Sequence, residues 1–177
     1  MPSTHANPHN VRHAPQQTPH GRVERAQSTD AIRLLRADHK EVEALFDQYE
    51  RLRSAARKRI VADQICMLLE VHTQIEEEIF YPAVRRMLQL DDLLDEAVVE
   101  HASANELIAQ IRDDDPEEPY FDARVKVLGE YIQHHVKEEQ RELFPRVDAS
   151  RIDTAALGRR MQARKEALLA GYAPQPA

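Results

Sequence analysis

Two eleven-residue stretches decide the fold: HTQIEEEIFYP at residues 72–82 and HVKEEQRELFP at residues 135–145. In each, a histidine is followed four residues later by a glutamate (Glu76, Glu139) and ten residues later by a proline (Pro82, Pro145) that an aromatic residue precedes. The match continues upstream. His39, preceded by Asp38, lies six residues before Leu45; His101, preceded by Glu100, lies six before Leu107. The intervals from His39 to His72 and from His101 to His135 are 33 and 34 residues. Agreement at this many offsets marks a duplicated helix–helix unit.

Around these stretches apolar residues recur with the helical period of about 3.6, and no segment shows the period-two alternation of a strand. Helices are predicted over residues 30–53, 57–88, 91–112, 119–147 and 153–170. Residues 113–119, DDDPEEP, form the loop between the two halves, because prolines and a run of like charge both oppose helix. The fold class is therefore all-α: an up-down four-helix bundle with an additional C-terminal helix carrying Leu157, Met161, Leu168 and Leu169 across it. The bundle is expected over residues 28–171. Residues 1–27, with Pro2, Pro8, Pro15, Pro19 and four of the nine histidines, have too little apolar surface to offset the entropy of ordering. They are expected to be a disordered Pro/His-rich tail, as are residues 172–177 at the other end.

Charge and composition narrow the function classes. With 24 Lys+Arg against 31 Asp+Glu, the net charge of -7 opposes phosphate backbones, so no nucleic-acid partner is expected. The longest apolar run, residues 65–69, is far shorter than the roughly 20 residues that span a bilayer. No membrane partner is expected, and without an apolar signal core near Met1 the expected location is cytoplasmic. A lone Cys66 supplies neither a disulfide nor a thiolate metal site. Any metal must be held by imidazole and carboxylate.

Helical phase, at about 100° per residue, selects the inward groups. His72 and Glu76 share the apolar stripe of Ile65, Leu68 and Ile79, while Glu77 and Glu78 turn toward solvent. On the fourth helix His135 and Glu139 share the stripe of Leu128 and Ile132, while His134 and Glu138 turn outward. His39 lies with Ile32, Leu35, Val42 and Phe46; His101 lies with Leu94, Ala97, Ala104 and Ile108. Two buried carboxylates with no inward Lys or Arg need compensation, because an uncompensated buried charge costs several kcal/mol. A metal pair supplies it, and His and Glu at i and i+4 converge on one point. Imidazole and carboxylate without thiolate suit Fe, Mn or Zn. Asp38 and Glu100 are candidates to accept a hydrogen bond from an imidazole on a neighbouring helix. Cys66 falls off the core face as an incidental thiol.

The order His, His-x-x-x-Glu, His, His-x-x-x-Glu on successive helices, with Tyr-Pro or Phe-Pro endings, resembles the hemerythrin-like HHE cation-binding family over residues 30–170. The resemblance implies a non-haem di-iron centre: two iron ions, oxo- or hydroxo-bridged, with His39, His72, His101 and His135 as ligands and Glu76 and Glu139 as bridges. It implies a small gaseous or peroxide ligand (O2, hydrogen peroxide or NO). Oxygen-carrying members have a further histidine four residues after the one on the third helix; Asn105 stands there, a poor iron ligand that can hydrogen-bond a bound molecule. Peroxide chemistry or gas sensing is then expected over reversible oxygen carriage. Glu43 and Tyr131 are candidates to fill the missing position, against their ordinary readings as a solvated helix edge and a core phenol. Catalase- or peroxidase-like scavenging and an iron-storing or structural bundle are the alternatives.

Overall fold

The computed structural model describes residues 30–172. The expected disordered segments, apart from Tyr172, lie outside the described residues. Helix α1 (Ala31–Glu50) starts at Asp30, whose carboxylate caps it by accepting the Arg33 N–H at 3.1 Å. Helix α2 (Ala55–Ile75) runs without a break into a π-helical turn, Glu76–Phe80, and then α3 (Tyr81–Met87). After a short connection comes α4 (Asp91–Asp113), and across the acidic loop lies α5 (Phe121–Glu138). Helix α5 continues through a second π-helical turn, Glu139–Leu143, into α6 (Phe144–Asp148); α7 (Thr154–Tyr172) follows. The five predicted helices are all present, two of them interrupted by a wide turn. No strand occurs among the described residues, and no helix there is long and apolar enough to cross a membrane.

The prolines explain the wide turns. Pro82 and Pro145 stand in the first turn of α3 and α6, where a proline has no N–H to donate and its ring crowds the carbonyl four residues back. The backbone widens instead: the Tyr81 N–H donates to the Glu76 carbonyl and the Phe144 N–H to the Glu139 carbonyl, five residues back in each case. Each wide turn therefore begins at one of the two inward glutamates.

Helices α1, α2, α4 and α5 form the bundle, with α1 against α2 and α5, and α4 against α5 and α2. Helix α7 lies on α1, α2 and the first wide turn, anchored by the buried Leu157 and Met161. The interior has two apolar clusters. One gathers Leu35, Ile75, Phe80, Leu94, Phe144 and Met161; the other gathers Val42, Ile65, Leu69, Ile108, Phe121 and Leu128. Along every bundle helix the inward histidine falls between a residue of one cluster and a residue of the other, so a polar layer crosses the core between them. Helix α2 packs on α1, α4 and α7 together, so it is buried on more than one face. Cys66, expected off the core face, is fully buried for this reason, and burial pushes its thiol up to about 12.

Candidate metal centre

The polar layer brings together all six residues that helical phase selected. His39, His72, His101, His135, Glu76 and Glu139 are each at most 6% exposed. Two imidazole pairs meet through their inner nitrogens: His39 Nε2 lies 3.1 Å from His72 Nε2, and His101 Nε2 lies 3.1 Å from His135 Nε2. The carboxylates link the pairs. Glu76 Oε2 is 3.2 Å from His72 Nε2 and 3.4 Å from His101 Nε2; Glu139 Oε2 is 3.3 Å from His39 Nε2 and 3.6 Å from His135 Nε2. Each glutamate thus touches one imidazole of each pair.

The hydrogen bonds on the outer side of the rings define the inner chemistry. His101 Nδ1 is 2.9 Å from Glu77 Oε1 and His135 Nδ1 is 2.8 Å from Glu100 Oε2. A carboxylate can only accept, so Nδ1 carries the proton and the inner Nε2 of the neutral ring carries a lone pair. Two lone pairs facing each other at 3.1 Å repel unless a proton or a cation lies between them. Two nitrogens bound side by side to one metal at about 2.1 Å each stand about 3 Å apart, which is the spacing found. Glu76 Oε1 and Glu139 Oε2 are buried and accept no hydrogen bond among the described residues, leaving acceptor capacity for a cation. Two groups, His39–His72–Glu76–Glu139 and Glu76–His101–His135, each converge closely enough to hold a metal ion, and Glu76 belongs to both.

Electrostatics agree with this reading. Burial alone would keep the His72 ring neutral, but Glu76, Asp38 and Glu139 outweigh it and push His72 up to about 10. His135 is raised for the same reason, burial being outweighed by Glu139, Glu100 and Glu76. Glu139, although burial opposes its charge, is held far below the usual carboxylate range by His135, His39 and His72. The site holds its charge by protonating its own ligands, and a metal replaces those protons.

Sequence reasoning missed two groups here. Tyr81, beside the first proline, points its hydroxyl into the layer: it donates to Glu139 Oε1 at 3.0 Å and lies 3.4 Å from Glu76 Oε2 and 3.5 Å from His101 Nε2. Burial, then Glu139 and Glu76, raise its pKa well above the ordinary value, so the phenol stays protonated. Glu77 faces solvent as expected, its side chain 41% exposed, and from there also partners His101 on α4. The tyrosine's signal was the proline within a helical pattern; no signal on one helix could reveal a contact made to another. Asp38 approaches the His72 Nδ1 only to 3.6 Å and turns its other oxygen to Lys165 Nζ at 2.5 Å, whereas Glu100 does bond His135.

The three further candidates do not join the layer. Asn105 is exposed, because the buried stripe of α4 (Leu94, Ala97, Ala104, Ile108, Ile111) is centred on the other side of His101. Glu43 is exposed on α1 for the same reason, and lines an open groove with His39. Tyr131 is 49% exposed rather than a core phenol. His134 faces outward as expected, near Glu100 and Glu138.

Two spaces adjoin the layer. A groove of about 1110 Å³ runs between α1 and α5, lined by His39, Glu43, Phe46, Gly129 and Gln140 among others. A chamber of about 10 Å³, the least that admits one water-sized molecule, is walled by Val42, Leu69, Ile132 and Val136 and bounded by all four ligand histidines.

Comparison with known proteins agrees with this geometry. Part of the chain is 31% identical over 111 residues to a DNA nickase of Nostoc sp.; the match takes in 63% of this chain but only 31% of that protein, so the chain spans under a third of its length. A crystal structure of a hemerythrin HHE cation binding domain-containing protein from Mycobacterium kansasii shares the fold, with a TM-score of 0.71 and 20% identity, covering 80% of this chain and 88% of that one. The model of the hemerythrin HHE cation binding domain matches residues 30–147, and the chain belongs to that family.

Proposed function

We propose that the polar layer holds two iron ions, bridged by Glu76 and Glu139, and that O2, hydrogen peroxide or NO is bound or processed there. The convergence of four imidazoles and two carboxylates in one buried layer, with Glu76 in both ligand groups, is the observation that carries the reading. The chamber of about 10 Å³ beside the imidazoles has room for a water-sized molecule and for no organic substrate, and its aliphatic walls favour a neutral molecule over an ion. An iron pair supplies a change of oxidation state and positions free of protein ligands. The chain's own residues do the rest. Glu77 and Glu100 fix the ring tautomers of His101 and His135, the walls exclude bulk water, and Tyr81 holds a proton at Oη within reach of both carboxylates.

That phenol favours catalase- or peroxidase-like processing over simple binding, because turnover of a peroxide needs a proton source beside the centre. DNA nicking does not enter this reading: the shared stretch is a minor part of the nickase, and a net charge of -7 opposes DNA. A cytoplasmic, membrane-free setting is part of the proposal. The test is metal analysis of iron-loaded protein, with visible spectra before and after peroxide. Two irons per chain and a peroxide-dependent spectral change are expected. Far fewer than two irons, or unchanged iron binding in His72→Ala, would overturn the di-iron reading, and peroxide removal no faster than by free iron would overturn the enzymatic one.

A further inference from the structure

The duplicated halves present the same ligands but surround them differently. Glu77 in the first half corresponds to Gln140 in the second, Asp38 corresponds to Glu100, and Tyr81 to Phe144. Each difference changes what backs a ligand. Glu77 accepts the His101 Nδ1 proton at 2.9 Å, whereas His39 Nδ1 is buried with no hydrogen-bond partner among the described residues, and Gln140 lies with it only along the α1/α5 groove. Glu100 is long enough to reach His135 Nδ1 at 2.8 Å; the shorter Asp38 stops 3.6 Å from His72 Nδ1, and Lys165 of α7 claims its charge. Tyr81 stacks on His101, and Phe144 stacks on His39 without a hydroxyl to offer.

A carboxylate accepting the outer N–H of a ligand imidazole raises the basicity of the inner nitrogen and locks the binding tautomer; removing such a partner typically costs about 10–100-fold in metal affinity. The His101/His135 pair has two such partners and the His39/His72 pair has none within hydrogen-bond distance. We infer that the two metal positions are inequivalent: the His101/His135 position is the tight one and fills first, while the His39/His72 position, whose His39 borders the open groove, is the weak and exchangeable one. Glu77 and Glu100 are the positioning residues that create the difference.

This inference rests on the reading of two metal positions, and stepwise titration of the metal-free full-length protein with Co(II), against a competing chelator, separates the two. Wild-type protein is expected to take up Co(II) in two steps whose affinities differ by about 100-fold or more, as two outer partners would give. Glu77→Gln with Glu100→Gln should weaken the first step by at least about tenfold and leave the second unmoved. Gln140→Glu, which supplies the missing carboxylate beside His39, should strengthen the second step alone and change the Co(II) visible bands of that step. Equal affinities in the wild type, or both steps shifted alike by the double substitution, would overturn the inference. One ion per chain, weakened by the double substitution and joined by a second ion in Gln140→Glu, would overturn the two-metal reading of the wild type and leave the inequivalence standing.

Discussion

Metal uptake should expel a proton that an ordinary histidine would not hold. At pH 8 an imidazole of ordinary pKa, about 6.5, is only about 3% protonated. His72, pushed up to about 10 by Glu76, Asp38 and Glu139 against the effect of burial, is about 99% protonated at that pH. A metal needs the Nε2 lone pair, so binding at the His39/His72 position must displace about one proton from His72, and the raised His135 adds to the count at the other position. Apparent affinity should then rise about tenfold per pH unit between pH 7 and pH 9, where an ordinary imidazole would give only about a 1.3-fold rise over the whole range. The sign for the metal-free fold is opposite: because the folded pKa is raised, its contribution to stability is full below about 6.5 and is lost as pH rises through about 10. Calorimetric titration with Zn(II) at pH 8, in two buffers of different ionisation enthalpy, counts the protons. At least about one per chain is expected, and fewer in Asp38→Asn, which removes one of the anions that lift His72 and so distinguishes this proton from one lost by solvent at the ion. Release below about 0.1 proton per chain, or an affinity flat from pH 7 to 9, would refute the reasoning.

Tyr81→Phe removes the hydroxyl and keeps the ring, as the second half already does with Phe144; iron content should be unchanged while the rate of peroxide removal falls by about tenfold or more, the lower range for a lost proton donor. An unchanged rate would take Tyr81 out of the chemistry. Met161→Ala should destabilise the fold by about 2–5 kcal/mol in denaturant unfolding, because Met161 is fully buried where α7 meets the core. A loss below about 1 kcal/mol would mean that α7 is not docked as described. Gly129→Ala places a Cβ 3.2 Å from the Phe46 ring, which is half-buried beside the α1/α5 groove and free to move a few tenths of an ångström. The gain in helix propensity, about 1 kcal/mol, should outweigh that shift and raise the melting temperature by a degree or more; a fall would show that the ring is held.

What was legible in the sequence follows from what a single helix determines. The six inward groups were readable because burial of a helix face is periodic, and His to Glu at four residues keeps both on that face. Phase measured from a histidine is not phase measured from the centre of the buried stripe, and that offset put Asn105 and Glu43 on the exposed side of their helices. Tyr81 was illegible for a different reason. An uninterrupted α-helix places it about 180° from His72, but the wide turn at Glu76–Phe80 takes up an extra residue and brings the phenol round to the ligands. Glu77 and Lys165 act across helices, on His101 and Asp38, and no local pattern encodes which helices will be neighbours.

The placement of the polar layer bears on why the halves could diverge. It lies between two apolar clusters that hold the helices from either side, so the ligands need not hold the bundle together themselves. The layer would be destabilising if its two buried carboxylates lacked imidazolium or metal, which constrains the six inward groups together. The outer partners carry no such constraint, since Glu77, Glu100 and Gln140 can each be wet or bonded at small cost. Three differences between the halves, Glu77 for Gln140, Asp38 for Glu100 and Tyr81 for Phe144, fall among the groups around the ligands, and none falls among the six ligands themselves. Matched histidines with unmatched outer partners would give an ion held at His101/His135 and an ion held at His39/His72 different donor strength, tautomer and proton supply. On the proposed di-iron reading, that difference would let one position retain its ion while the other meets the small ligand.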